Sequence, residues 1–265
     1  MNHEPLDQTI RHRINTNTSD HWISVGETIK GPVRENNEDR IYMDDQIGVW
    51  CVADGMGGHV EGGVASSLIT QSLEDLQGFS TNNFDSFLTT LIEILERTNE
   101  IIYSLSNDMF DSKQIIGSTF VILVIHKHKG YVIWSGDSRL YRMRDVYFEQ
   151  VTVDHTQYEA LKSQHLLDNE PSENPMEHPA SHILTKAIGV KESLEYDLVE
   201  IDIQHDDTFL LCSDGLYNVL EQVEIGKSLY YADDNVSALK TLINSAVMRG
   251  TSDNVSAIIV GKSNA

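Results

Sequence analysis

The chain has 265 residues, with 41 Asp and Glu against 19 Lys and Arg, a formal charge of -22 at neutral pH. That charge repels phosphate backbones and anionic bilayers, which excludes nucleic-acid and membrane-surface binding. A hydrophobic share of 40% with 23% charged residues is too apolar for acidic disorder, and just two cysteines, Cys51 and Cys212, both inside apolar runs, exclude a disulfide scaffold.

Residues 1–20 are polar and mixed in charge and read as a tail, followed by a single domain over 21–265. No run approaches the roughly 20 apolar residues that span a bilayer, and the start lacks a signal-peptide pattern, so a soluble, cytoplasmic protein is expected. Strands are predicted at Ile41–Met43 and Gly48–Ala53, then a helix over Val64–Leu76. After Asn82 and Asn83, apolar residues from Phe84 to Leu105 recur at steps of three and four, which predicts a long amphipathic helix with an Asn cap. Strands follow at Thr119–Ile125 and Tyr131–Ser135, joined by a hairpin turn at Lys127–Gly130. Residues 157–182 are polar and proline-bearing after a short helical start and read as a surface flap. A strand at Thr208–Cys212, a helix over Val236–Met248 stopped by Gly250, and the apolar run Val255–Val260 complete the chain. Clustered strands and helices, without strict alternation, favour stacked antiparallel sheets covered by helices.

Three apolar runs end in an aspartate beside glycine: Val52-Ala53-Asp54-Gly55, Trp134-Ser135-Gly136-Asp137 and Leu211-Cys212-Ser213-Asp214-Gly215. Asp253 stands just before a fourth run. A single Asp-Gly of this kind is more often an ordinary turn. Convergence of several at one rim would instead repel strongly unless a cation neutralised them, and hard oxygen ligands suit magnesium or manganese. The loop Gly55-Met56-Gly57-Gly58-His59 holds more glycine than a turn needs, and Arg34 lies beside the acidic stretch Asn36-Asn37-Glu38-Asp39. A guanidinium next to a carboxylate site makes chemical sense where the substrate carries phosphate.

These segments, with Gly117-Ser118-Thr119, Gly136-Asp137-Ser138-Arg139, Leu184-Thr185-Lys186-Ala187-Ile188-Gly189 and Ser252-Asp253-Asn254-Val255, resemble in order the metal-dependent serine/threonine protein phosphatases of type 2C, in their bacterial single-domain form. The resemblance implies an α+β fold: a four-layer α/β/β/α sandwich of two antiparallel sheets flanked by helices. It implies two Mn2+ or Mg2+ ions, with Asp54 bridging them, Asp214 and Asp253 completing the first site, and the Gly55 carbonyl serving the second with Glu38 and Asp39, directly or through bound water. Asp137 with Asp214 would hold a weaker third ion. Arg34 would bind substrate phosphate and His59 would help protonate the leaving group, while a metal-bridged water hydrolyses phosphoserine and phosphothreonine. Expected partners are phosphoproteins, a Ser/Thr kinase or its targets, met by a monomeric chain. Lys186 stands where the family commonly has arginine, a change expected to alter a local ion pair and leave the chemistry. Cysteine-based phosphatase chemistry is excluded by spacing, since neither cysteine opens a C-x5-R loop, and Gly226-Lys227-Ser228 lacks the first glycine of a nucleotide loop.

Overall fold

The computed structural model describes residues 22–57, 62–79, 83–108, 115–167 and 178–262. The proposed tail, His59 and the middle of the flap lie outside the described residues. In chain order the strands are β1 (Trp22–Ile29), β2 (Asp39–Asp44), β3 (Val49–Met56), β4 (Gly117–His126), β5 (Lys129–Ser135), β6 (Arg139–Arg144), β7 (Tyr147–Gln150), β8 (Asp197–Asp202), β9 (Thr208–Cys212) and β10 (Val255–Lys262). The helices are α1 (Gly62–Leu73), α2 (Phe84–Asp108), α3 (Gln157–Ser163), α4 (Asp214–Tyr217), α5 (Gln222–Tyr230) and α6 (Asn235–Met248).

Two five-stranded antiparallel sheets result, ordered β1-β10-β9-β6-β7 and β2-β3-β4-β5-β8. Period-two alternation assigns each strand face to a layer. On β3, Trp50 and Val52 face the other sheet and meet Val121, Leu140, Phe209, Leu211 and Ile258. Their neighbours Val49, Cys51 and Ala53 face outward and meet Ala65, Ile69 and Leu73 of α1 and Leu91 and Leu95 of α2. Leu216, Ile225, Leu239, Leu242 and Ala246 cover the first sheet in the same way, against Tyr141, Leu210, Cys212 and Ile259. The central strands are therefore apolar on both faces and read in the sequence as continuous runs. The layers are helix, sheet, sheet and helix, as the resemblance implied.

Local signals set the helix ends. Asn83 accepts the Ser86 N–H at 3.3 Å at the start of α2, Asp234 accepts the Ser237 N–H at 2.7 Å at the start of α6, and Gly250 follows α6 at φ +79°. The expected helix over 64–76 is α1 from Gly62 to Leu73 with a 3-10 turn at Glu74–Leu76. The hairpin turn falls at Lys127-His128, with Lys127 at φ +56°. Four strands and one longer helix were not expected. β6 hides behind Arg139, Arg142 and Arg144, and β8 is an edge strand with mostly exposed residues. α5 was passed over because its apolar face is short, with Ile225 and Gly226 as its buried residues.

Arg139 at the head of β6 is a charge inside the protein. Its guanidinium takes the Asp154 carboxylate through Nε at 3.0 Å and Nη2 at 2.6 Å, and lies 3.5 Å from the centre of the Tyr217 ring. Removing one member of such a pair leaves the other uncompensated. Arg139→Ala is expected to lose about 3–5 kcal/mol of unfolding free energy in urea titrations. The double variant Arg139→Met, Asp154→Leu should recover much of that loss. A single-variant loss below about 1 kcal/mol, the worth of an exposed pair, would contradict the buried-pair account.

Candidate active site

Antiparallel register brings the acidic strand ends to one edge of the sandwich. Asp39 and Asp54 are directly opposed on β2 and β3, an arrangement in which like charges destabilise a sheet. Asp39 is 1% exposed, and its Oδ2 accepts the hydroxyls of Ser213 at 2.8 Å and Ser256 at 2.7 Å. Ser256 lies on β10 of the other sheet and Ser213 directly follows its strand β9, so one carboxylate bolts the two sheets together. Asp214 follows β9 and opens α4, Asp253 precedes β10, and Asp137 precedes β6.

A cavity of about 270 Å³ at this edge is lined by Glu38, Asp54, Asp137, Asp214 and Asp253, with Gly55 and Thr119 in its wall and Arg34 at its rim. A larger groove of about 610 Å³ between the β6–β7 hairpin and α5 holds no carboxylate and is lined by side chains such as Met143, Phe148 and Tyr231. The chemistry belongs to the smaller, polar one. Close backbone approach shapes its wall: a Cβ on Gly55 would lie 2.1 Å from the Gly62 carbonyl oxygen, and one on Gly215 would lie 1.9 Å from that of Asn254. Glycine after each aspartate thus lets α1 and the start of β10 close on the strand ends.

Of the residues singled out in the sequence, Glu38, Asp54, Gly55, Asp137, Asp214 and Asp253 meet at the cavity. Asp39 stands behind them, held by the two serines. Arg34 is half exposed and donates from Nη2 to Asp253 Oδ2 at 2.5 Å. Lys186 pairs with Asp197 at 2.5 Å. His59 falls outside the described residues. Sequence reasoning missed His182 and Leu184, which reach the cavity from the return of the flap. It also missed the supporting shell: Asn218 donates to Asp214 Oδ2 at 2.9 Å, Ser118 Oγ donates to the Asp54 carbonyl at 2.8 Å, and Asn254 Oδ1 accepts the Glu38 N–H at 2.9 Å. Asn218 had a readable signal, since it lies four residues beyond Asp214 on a helical turn.

Burial and mutual repulsion push the carboxylates up together. Desolvation, opposed by the two serine hydroxyls and reinforced by Asp214 and Asp253, raises Asp39 from 3.8 to about 7. Desolvation with Asp214 and Asp154 nearby raises Asp137 to about 8. Asp214 rises to about 6 through desolvation and then Asp253, and Asp54 rises well above its ordinary value through desolvation and its four acidic neighbours. Asp214 Oδ1 is buried with no hydrogen-bond partner. Among the described residues no three acidic, His or Cys side chains already close on a single metal position. The fit to a cation rests on the all-oxygen donors, the partnerless Asp214 oxygen and the shared upward shift, and together these suit hard divalent ions.

Residues 24–161 match the family model of protein phosphatase 2C. The serine/threonine phosphatase stp of Listeria monocytogenes is 30% identical over 239 residues, covering 88% of this chain and 93% of that one. The solved Mycobacterium tuberculosis serine/threonine phosphatase PstP/Ppp is 26% identical with TM-score 0.82, covering 92% of this chain and 100% of that one. A second solved structure, the catalytic domain of serine threonine protein phosphatase PstP in complex with 2 manganese ions, is 25% identical with TM-score 0.76 over 91% of this chain and 98% of that one. With its carboxylate-lined sandwich edge and this coverage, the chain belongs to the protein phosphatase 2C family.

Proposed function

We propose that the carboxylate cavity hydrolyses phosphoserine and phosphothreonine esters of proteins, with divalent cations as its cofactor, opposing a Ser/Thr kinase. The observation that carries this reading is that five carboxylates from separate segments of both sheets line one cavity with an arginine at its rim. Asp54 and Asp214 are central, joined by Asp253, Glu38 and the Gly55 carbonyl for two Mn2+ or Mg2+ ions, with Asp137 and Asp214 serving a weaker third. Asp39 supports from behind. Bound there, the ions supply charge neutralisation and water of lowered pKa.

The chain's own groups do the rest. Arg34 presents a planar pair of N–H donors at the rim, and a phosphate entering the cavity can take the place of Asp253 as its partner. The family origin of the site makes His59 a candidate for donating a proton to the leaving oxygen. The relative bound to two manganese ions supports the ion count. The described residues include no helix long and apolar enough to cross a membrane, and the charge of -22 favours basic substrate segments.

Purified protein with Mn2+ is expected to hydrolyse a phosphothreonine peptide, and chelator should abolish the activity. Asp214→Asn should lower kcat/KM by about 100-fold or more, since losing a direct ligand costs a metal site at least as much as losing one of the outer-shell partners that hold its ligands. Turnover by the variant within a few-fold of wild type would remove Asp214 from the proposed role.

A second expectation follows from the raised carboxylates. A group whose folded pKa exceeds its ordinary value contributes stability below the ordinary value and loses it as pH rises towards the folded one. For Asp39, Asp137 and Asp214 that window runs from 3.8 to about 6–8. Burial lowers His155 and His126 and works in the opposite direction, with two groups against several. Chelated protein should therefore melt at a lower temperature near pH 8 than near pH 5, and Mg2+ or Mn2+ should raise the melting temperature more at the higher pH, since binding displaces protons. Equal cation stabilisation at both values would refute this account.

A further inference from the structure

The loop that carries Asp137 is held by a residue far away in sequence. His155 is 7% exposed and grips Gly136 twice: its Nδ1 accepts the Gly136 N–H at 3.1 Å, and its own N–H donates to the Gly136 carbonyl at 2.9 Å. Gly136 sits at φ +108°, where a Cβ would lie 2.4 Å from that of Thr119, so the peptide before Asp137 has one way to lie. On the far side of the ring, Nε2 is 3.2 Å from Asp197 Oδ2. The Asp197 carboxylate also takes Lys186 Nζ at 2.5 Å. An Nδ1 that accepts requires the proton on Nε2, which Asp197 accepts, while Lys186 Nζ, 3.3 Å from the same nitrogen, is turned to the Asp197 carboxylate as its own acceptor. Burial lowers the imidazole's pKa first of all, which favours the neutral ring that this tautomer needs. The Trp134 ring stacks on the imidazole, with centroids 5.7 Å apart and planes at 10°, and fixes its rotation. Thr185 of the flap's return donates to the His155 carbonyl at 2.8 Å.

We propose that His155 is a positioning residue for cation binding: with Asp197 fixing its tautomer, its Nδ1 holds the Gly136 amide so that the Asp137 carboxylate stays beside Asp214. Metal-ligating imidazoles are oriented by outer carboxylates in the same way. Here the oriented imidazole acts one step further out, on the peptide in front of a ligand. The inference rests on Asp137 and Asp214 forming the weaker cation site.

Two isosteric substitutions separate the two ends of the ring. Asn places an acceptor where Nδ1 stands and keeps the bond to Gly136. Gln places its amide where Nε2 stands, keeps the contact with Asp197 and loses Gly136. Mn2+ titrations followed by electron paramagnetic resonance, with melting temperatures and Gly136 amide exchange by NMR, read the difference. His155→Gln should weaken the last Mn2+ binding step by about 10-fold or more and expose the Gly136 amide to exchange, leaving the earlier steps in place. His155→Asn should stay within about 3-fold of wild type at that step. Wild-type affinity in a folded His155→Gln, or an equal loss in His155→Asn, overturns the proposal. Asp137→Asn reports on the underlying reading: if it binds Mn2+ as wild type does, Asp137 is no ligand and both ideas fall, whereas loss in Asp137→Asn beside wild-type binding in His155→Gln overturns the positioning role alone. Should His155→Gln not fold, Asp197→Ala, altered at the half-exposed end, is expected to shift the same step in the same direction, and an unchanged last step there overturns the proposal.

Discussion

Everything at the edge of this sandwich depends on one unfavourable fact: carboxylates that repel one another are packed together where burial weakens the screening that water gives. Asp39 and Asp54 are cross-strand partners, and Asp214, Asp137 and Asp253 raise one or the other by Coulomb repulsion. Left to itself such a cluster drives protons on or the strands apart. The fold resists the second outcome through the hydrophobic layers behind the edge. Trp50, Val52, Val121, Phe209, Leu211 and Ile258 are fully buried between the sheets, and at roughly 1.5–3 kcal/mol for each large side chain their burial outweighs a repulsion confined to one rim. What remains is electrostatic strain that only protons or cations relieve.

The bolt across the seam gives that strain a direction. Asp39 reaches from the second sheet to Ser213 and Ser256 of the first, and Ser213 Oγ also accepts the Ser256 N–H at 3.0 Å. A sheet-to-sheet shift would break a buried carboxylate's hydrogen bonds, a far larger cost than a change in an exposed turn. The two halves of the cavity, Glu38 and Asp54 from one sheet and Asp214 and Asp253 from the other, are therefore held at a set separation before any ion arrives. The glycines at 55 and 215 contribute to the same end, because their missing Cβ atoms allow helix and strand backbones to meet at distances no other residue tolerates.

The legible part of this protein follows from the same physics. Central strands with both faces buried appear as apolar runs, and aspartates that end them stand out because the run stops abruptly at a charge. Asp54, Asp137 and Asp214 were readable on those grounds, and the order of the motifs made the layers readable too. β6 was not, because Arg139 interrupts its pattern, and the reason an arginine can sit there is Asp154, fifteen positions away, along with the Tyr217 ring. Ser213, Ser256 and His155 were equally silent. A buried serine or histidine has no distinguishing sequence signal, since its role is set by which strand lies opposite, and register across two sheets is a property of the whole fold.

The hydrogen bonds behind the cleft carry a functional consequence. On the sheet side, every carboxylate-bearing segment is fastened by buried groups: Ser118 to the Asp54 carbonyl, Tyr217 Oη donating to the Asp137 carbonyl at 2.8 Å, and Thr251 Oγ1 donating to the Gly215 carbonyl at 3.0 Å. On the other side, His182 and Leu184 reach the cavity from the flap's return, which is tied by the bridge of Thr156 with Leu184 and the Thr185 bond to His155. Cations require donors at fixed distances, whereas phosphoproteins differ in the residues around the phosphorylated one. A cleft whose metal-facing wall is clamped by its own hydrogen bonds can present another segment of chain to the substrate, because the carboxylates do not depend on that segment for their positions. The ion pair of Lys186 with Asp197 lies where the two walls meet, joining the flap's return to the ring that holds the Asp137 loop.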